Sequence, residues 1–240
     1  MLPKIEVCCC PDIYKYHSKC QIAVLTDVLR ATTSMITALE TGAEEIKTVT
    51  DIETALYLQH TKDFFACGER EAMKVEGFTY GNSPHEFENE TIIGKKLVFS
   101  TTNGTYALNQ AADCSQIILG AFVNLSAICD YLKKEQKDTI IVCSGRHRKT
   151  AIEDTLFAGA VASNLISSGM FAADDDYVFE AITLYKAAQN DLKQFIIGGS
   201  PYISSRLNFF KEDIDFCMTT DKYKLVPILN ESGLFSRINL

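Results

Sequence analysis

Short apolar runs alternating with longer amphipathic segments predict an α/β protein, a three-layer α/β/α sandwich around a largely parallel or mixed sheet. Three observations carry this. The runs are four to eight residues long, they are nearly continuous in hydrophobicity as strands buried on both faces must be, and helix-like stretches separate them. The strand candidates are Lys4–Cys9, Gln21–Val28, Glu45–Val49, Phe64–Cys67, Lys96–Ser100, Gln116–Leu119 and Thr139–Cys143. Helix-like stretches fall at Thr32–Thr41, Ile52–Thr61, Gly104–Ala112, Leu125–Lys134 and Glu153–Ser168. From about residue 170 the pattern turns mostly helical, with candidates at Asp175–Ala188, Asp191–Ile197 and Ser200–Asn208. No Pro/Gly/Ser linker divides the chain, so residues 1–240 are expected to form one domain, its last third a helical layer on the sheet. The long stretch Gly68–Gly94 lacks clear periodicity, and a loop of that size is usually functional.

Composition narrows the class. The 240 residues carry 23 Lys+Arg against 31 Asp+Glu, a net charge of −8, with 47% hydrophobic and 22% charged residues. So much apolar side chain offsets the entropy of ordering, which excludes disorder as the main state. The acidic balance repels a phosphate backbone and argues against nucleic acid as a partner. No apolar run approaches the roughly 20 residues that cross a bilayer, and Glu6 interrupts the apolar stretch a signal peptide needs. Nine cysteines form no C-x-x-C pair, and several sit in apolar runs, as Cys67 and Cys143 do. Buried free thiols and a reducing cytoplasm fit this better than a disulfide scaffold. Cys8, Cys9 and Cys10 are consecutive, so on a strand they cannot converge on one ion.

Ligands of parallel α/β sheets gather at the carboxyl ends of the strands, and four of these ends are polar. After the second strand come Asp27, Arg30, Thr32, Thr33 and Ser34. Asp27 can ligate a hard cation or attack phosphorus, and Arg30 can grip an anion with two bonds. Equally, the hydroxyls can cap a helix while Asp27 and Arg30 pair with each other. After the fourth strand come Glu69, Arg70, Lys74 and, further on, Asn82. They suit either a loop covering a ligand or a solvated surface of loosely paired charges. After the fifth, Ser100, Thr101, Thr102, Asn103 and Gly104 make a hydroxyl-rich turn into a helix, a possible anion cradle as well as a plain cap. After the seventh come Ser144, Gly145 and Arg146, then Glu153 and Asp154, which can hold Mg²⁺ or simply sit where a helix dipole favours acids.

Acids, guanidinium groups and hydroxyls on one rim suit a divalent cation with a small multiply charged anion, the set that metal-assisted phosphoryl transfer uses. No G-x-x-x-x-G-K-[ST] loop, G-x-G-x-x-G turn, H-E-x-x-H or G-x-S-x-G motif is present. The four histidines are too scattered to suggest a zinc site, and Asp174-Asp175-Asp176 reads as an acidic helix start.

Together, Asp27-Val28-Leu29-Arg30-Ala31-Thr32-Thr33, Gly68-Glu69-Arg70 with Gly77-Phe78 and Gly81-Asn82-Ser83-Pro84, Ser100 through Thr105, and Cys143-Ser144-Gly145-Arg146 with Glu153-Asp154 resemble the 2-phosphosulfolactate phosphatase (ComB) family. The likeness extends from about residue 27 to 160. It implies an α/β/α fold and Mg²⁺-dependent hydrolysis of (2R)-O-phospho-3-sulfolactate to (2R)-3-sulfolactate and phosphate, a step toward coenzyme M. On that reading Asp27, Arg30 and Arg146 are catalytic, and the metal sits among Asp27, Glu69, Glu153 and Asp154. The substrate is held by Thr32, Thr33, Arg70, Lys74, Asn82, the Ser100–Gly104 turn, Ser144 and Gly145. The partner is a small phosphorylated, sulfonated anion, and a homodimer is the default assembly. A Mg²⁺-dependent lyase or isomerase, or an anion-binding protein without turnover, would use many of the same residues.

Overall fold

The computed structural model describes residues 1–101 and 103–237; Thr102, one of the expected substrate contacts, lies outside the described residues. Eleven strands form one sheet: β1 (Lys4–Cys8), β2 (Ile22–Thr26), β3 (Glu45–Val49), β4 (Phe64–Arg70), β5 (Met73–Lys74), β6 (Lys96–Ser100), β7 (Gln116–Leu119), β8 (Thr139–Cys143), β9 (Ala172–Ala173), β10 (Pro227–Leu229) and β11 (Leu234–Arg237). Their spatial order is β5-β4-β6-β3-β11-β10-β7-β2-β8-β1-β9. Two parallel blocks result, β4-β6-β3 and β7-β2-β8-β1-β9. The hairpin of β10 and β11 lies between them, antiparallel to β7 on one side and β3 on the other.

The α-helices are α1 (Ala31–Thr41), α2 (Ile52–Thr61), α3 (Gly104–Gln110), α4 (Leu125–Glu135), α5 (Ile152–Ser167), α6 (Asp176–Ala188), α7 (Leu192–Gly199), α8 (Pro201–Ser205) and α9 (Leu207–Cys217). Alternate strand residues enter opposite layers, as the pleat dictates. Ile22 and Val24 of β2 join the core beneath α4, α5, α6 and α9, whereas Ala23 and Leu25 join the core beneath α1 and α3. A smaller core packs Ala55 of α2 on Val49, Ala66 and Val98. Both faces are therefore covered, and the α/β/α sandwich holds.

Three expectations need correction. The end of the chain is not only a helical layer, since β10 and β11 complete the middle of the sheet. Strand β4 continues to Arg70, so Glu69 and Arg70 belong to a strand that turns back into β5, and Pro84–Phe87 and Glu90–Ile92 are 3-10 turns within the supposed loop. The single helix expected over Ser200–Asn208 is two, α8 and the start of α9, which meet at Arg206.

Candidate active site

The carboxyl ends of β2, β4, β6 and β8 open onto one cleft of about 500 Å³, its mouth included. Asp27, Arg30, Glu69, Asn82, Asn103 and Arg146 line it together. Four separate parts of the sequence thus converge, as the strand-end rule requires.

Asp27 stands one residue past β2 and is buried. The Ala31 N–H donates to its Oδ1 at 3.3 Å. Burial pushes its carboxyl up to about 7, and the charges of Glu69 and Glu153 push the same way, against the Ala31 N–H and the Arg146 guanidinium. The turn that presents Asp27 is held by hydroxyls. Thr32 Oγ1 accepts from the Asp27 N–H at 3.0 Å and donates to the Asp27 carbonyl at 2.9 Å, and Thr33 Oγ1 donates to the Val28 carbonyl at 2.8 Å. Thr32 and Thr33, expected to touch substrate, are instead buried and committed to the backbone.

Asp154 joins this turn to the loop after β8. Its Oδ1 accepts from the Val28 N–H and its Oδ2 from the Gly145 N–H, both at 2.9 Å. Burial raises its pKa well above the ordinary carboxylate range, and the charges of Asp27 and Glu153 add to the rise. Gly145 has φ +64°, and a Cβ there would stand 2.3 Å from the Lys149 carbonyl oxygen, so this turn needs glycine.

Arg146 leaves that turn to pair with the buried Glu153 through Nη2 and Oε1. Its guanidinium also lies 4.1 Å from the centre of the Tyr202 ring. The second Glu153 oxygen, Oε2, is buried and has no hydrogen-bond partner among the described residues. Arg30 is held differently. Its Nη1 donates to Asp213 Oδ2 at 2.5 Å, its Nη2 to the Ala72 carbonyl at 3.0 Å, and it stacks over Phe210 at 5.3 Å. Asp27 and Arg30 therefore do not pair with each other; the acid that Arg30 meets is on α9.

Glu69 lies at the cleft end of β4, where its Oε2 accepts from the Ala72 N–H at 2.7 Å. Asn103 Oδ1 accepts from the His147 N–H at 3.2 Å, tying the β6 and β8 loops. Asn82 is buried with Oδ1 unpartnered among the described residues. Gly104 starts α3, and a Cβ there would stand 3.6 Å from Asp27 Oδ2, so this backbone runs close to the acid. Buried Ser144, its hydroxyl unpartnered among the described residues, borders the neighbouring hollow with Asn103 and His147.

Other expected contacts stand elsewhere. Arg70 clamps backbone: it donates to the carbonyls of Glu69, Ser100 and Thr50 and to Ser100 Oγ, at 2.7 to 3.3 Å. Ser100 is engaged by that clamp, and buried Thr101 is not in the cleft wall. Lys74 is exposed and donates to the Thr79 carbonyl at 3.2 Å. Conversely Tyr202 and Phe210 line the cleft, and Asp213 with Ser83, bonded at 2.5 Å, stands behind Arg30; of these only Ser83 lies in a segment recognised from the sequence, Gly81–Pro84. One signal was available for Asp213, an acid at helical spacing among the buried Phe210, Ile214 and Cys217.

The donor set fits a hard divalent cation. Asp27, Glu69 and Glu153 supply carboxylate oxygens, one of them buried and unpartnered among the described residues. No three of these acids converge within 4.8 Å among the described residues.

Comparison with known proteins gives the family. The family model for 2-phosphosulpholactate phosphatase matches residues 9–232. A probable 2-phosphosulfolactate phosphatase of Caldanaerobacter subterraneus subsp. tengcongensis is 41% identical over 211 residues, 86% of each chain. One of Thermotoga maritima is 38% identical over 221 residues, 90% of this chain and 92% of its own. One of Microcystis aeruginosa is 36% identical over 233 residues, 95% and 97% of the two chains. With most of its length matched, the chain belongs to the 2-phosphosulfolactate phosphatase family.

Proposed function

We propose that this protein is a Mg²⁺-dependent phosphoric monoester hydrolase that converts (2R)-O-phospho-3-sulfolactate to (2R)-3-sulfolactate and phosphate, the step that leads toward coenzyme M. The observation that carries the reading is the cleft itself, where Arg30 and Arg146 share one wall with the carboxylates of Asp27 and Glu69, and Glu153 stands behind Arg146. That the relatives are probable 2-phosphosulfolactate phosphatases supports the substrate. Nine free cysteines, most of them buried, suit a reducing cytoplasm.

Asp27, Glu69 and Glu153 would hold the cation, with Asp154 fixing the two loops that carry Asp27 and Arg146. Bound Mg²⁺ supplies Lewis-acid polarisation of the phosphoryl oxygens. Arg30 and Arg146 each have guanidinium N–H groups beyond those already bonded, and these meet the negative charge of phosphoryl, sulfonate and carboxylate. Both guanidiniums are held before substrate arrives, Arg30 by Asp213 and Arg146 by Glu153 and Tyr202. Asn82 and Asn103 offer amide N–H donors to the same anion. With the cation beside it the Asp27 carboxylate would stay ionised, free to hold the metal and orient the attacking water.

The test is phosphate release from a panel of phosphorylated hydroxy acids, with Mg²⁺ and with EDTA. Release from 2-phosphosulfolactate that EDTA abolishes supports the proposal. A protein that leaves this substrate intact in Mg²⁺ refutes it. Mass spectrometry of the quenched enzyme distinguishes a phospho-Asp27 intermediate from direct attack by water.

A further inference from the structure

Away from the cleft, Glu6 of β1, His17 just after the 3-10 turn Pro11–Tyr16, and Asp175 at the cap of α6 bring three ligand atoms within 4.8 Å of one another. His17 Nδ1 is 2.8 Å from Glu6 Oε2 and 3.4 Å from Asp175 Oδ2. We propose that these three residues form a second divalent-cation site, built for a transition metal of the zinc class. This inference does not depend on the phosphatase reading, because none of the three lines the catalytic cleft.

The geometry is close to what such an ion asks. Zn²⁺ bonds of about 2.1 Å in a tetrahedron place neighbouring ligand atoms roughly 3.4 Å apart. The His17–Asp175 separation already has that value, and the His17–Glu6 pair needs to open by about 0.6 Å. One nitrogen and two oxygens suit Zn²⁺ better than Mg²⁺, which prefers oxygen.

Asp175 is also oriented from behind through its Oδ1, and backbone N–H groups steady the oxygens of Glu6 and Asp175 that face His17. Asp175 Oδ1 accepts from the Val178 N–H at 2.9 Å and Oδ2 from the Val7 N–H at 3.3 Å; Glu6 Oε2 accepts from the Ser18 N–H at 3.2 Å. Such outer bonds fix ligand direction in protein metal sites. The side chains of His17 and Glu6 are only 5% exposed. The other ring nitrogen, Nε2, is buried without a partner among the described residues, so the imidazole is aligned from its Nδ1 side alone. A solvent-open hollow bounded by Ile13, Tyr16 and Tyr177 reaches the cluster and gives solvent access to it. A bound ion would tie β1 and the 3-10 turn that follows it to α6, about 160 residues further along the chain.

The experiment titrates Zn²⁺ into the full chain by calorimetry in saturating Mg²⁺, and follows Co²⁺ by its visible d–d absorption. The variants are His17→Gln and Asp175→Asn, the latter keeping a helix cap as good as Asp. The expected result is one Zn²⁺ per chain beyond Mg²⁺. A 100-fold excess over Kd should raise Tm by on the order of 5–10 °C. Affinity should fall at least 10-fold in Asp175→Asn, the Co²⁺ band should vanish in His17→Gln, and phosphatase turnover should be unchanged in both. No stoichiometric Zn²⁺ binding overturns the proposal, as the signature of a cluster holding only a proton. Binding that survives Asp175→Asn, or a thiolate charge-transfer band with Co²⁺, overturns it as well, by placing the metal elsewhere. Because the readouts are binding and spectra, they stand or fall separately from any failure of phosphate release.

Discussion

Arg30 and Asp213, 183 residues apart in sequence, meet at 2.5 Å with both side chains buried, and Ser83 donates to the other oxygen of the same carboxylate. Helix α9 is thereby built into the cleft, although it contributes no residue of the recognisable strand-end clusters. Removing one partner of a buried pair leaves the other charge stranded, at about 3–5 kcal/mol. Asp213→Ala should therefore lower Tm by on the order of 10 °C and reduce kcat/KM by roughly 10–100-fold as Arg30 loses its direction. Asp213→Asn, which keeps the shape and both acceptor contacts in part, should lose less of each. Equal kcat/KM in wild type and Asp213→Ala would separate Arg30 from catalysis.

Asp27 shows the tension between stability and chemistry. Its carboxyl is held up at about 7 against the ordinary 3.8, chiefly by burial, so the folded metal-free protein binds a proton that the unfolded chain releases. Stability must then fall as pH rises from about 4 through 7. In EDTA, Asp27→Asn should be more stable than wild type at pH 8, by roughly 2–4 kcal/mol, and the gap should close toward pH 4. The same variant should lose phosphate release and should no longer gain Tm from added Mg²⁺. Melting curves at pH 4, 6 and 8, with EDTA and with Mg²⁺, check all three; a gap that widens in acid would contradict the assignment.

Arg70 and Arg146 look alike in sequence and differ in use. The Arg70 guanidinium serves four acceptors on β4, β6 and the end of β3. Arg70→Gln should destabilise by about 2–3 kcal/mol with KM within about 3-fold of wild type, an effect on folding far more than on substrate. Arg146→Gln should raise KM and lower kcat/KM by 100-fold or more, an interaction with charge in the transition state being lost. Steady-state kinetics beside thermal melts distinguishes the two.

All nine cysteines are free thiols, and only Cys10 and Cys114 are partly exposed. Burial pushes Cys9 and Cys129 up to about 12, and Cys8, Cys20, Cys67, Cys143 and Cys217 are also raised by burial. Little thiolate forms at pH 8, so a disulfide reagent should label at most two thiols quickly in the native protein and nine in denaturant. Rapid native labelling of four or more would mean the cores open readily.

The strands were legible because a parallel strand covered on both faces must be apolar at every position, whatever its neighbours are. β6, β7 and β8 run as their apolar stretches indicate, whereas β3, Glu-Ile-Lys-Thr-Val, is mostly half-buried and shows only Ile46 and Val49 as its buried positions. Asp27, Glu69, Asn103 and Arg146 were legible for a related reason, since parallel strands deliver their carboxyl ends to one rim. The hairpin β10–β11 was not, because three- and four-residue strands carry too short a pattern and owe their place to pairing with β7 and β3. Nor does a residue's type reveal what occupies its hydrogen bonds. Thr32, Thr33 and Arg70 are chemically fit for an anion, yet backbone carbonyls reach them first. Asp213 and Tyr202 matter because folding sets them beside Arg30 and Arg146. Local pattern settles what must be buried and where a strand ends; which polar group meets which is a question of distance in space, and only the packed chain answers it.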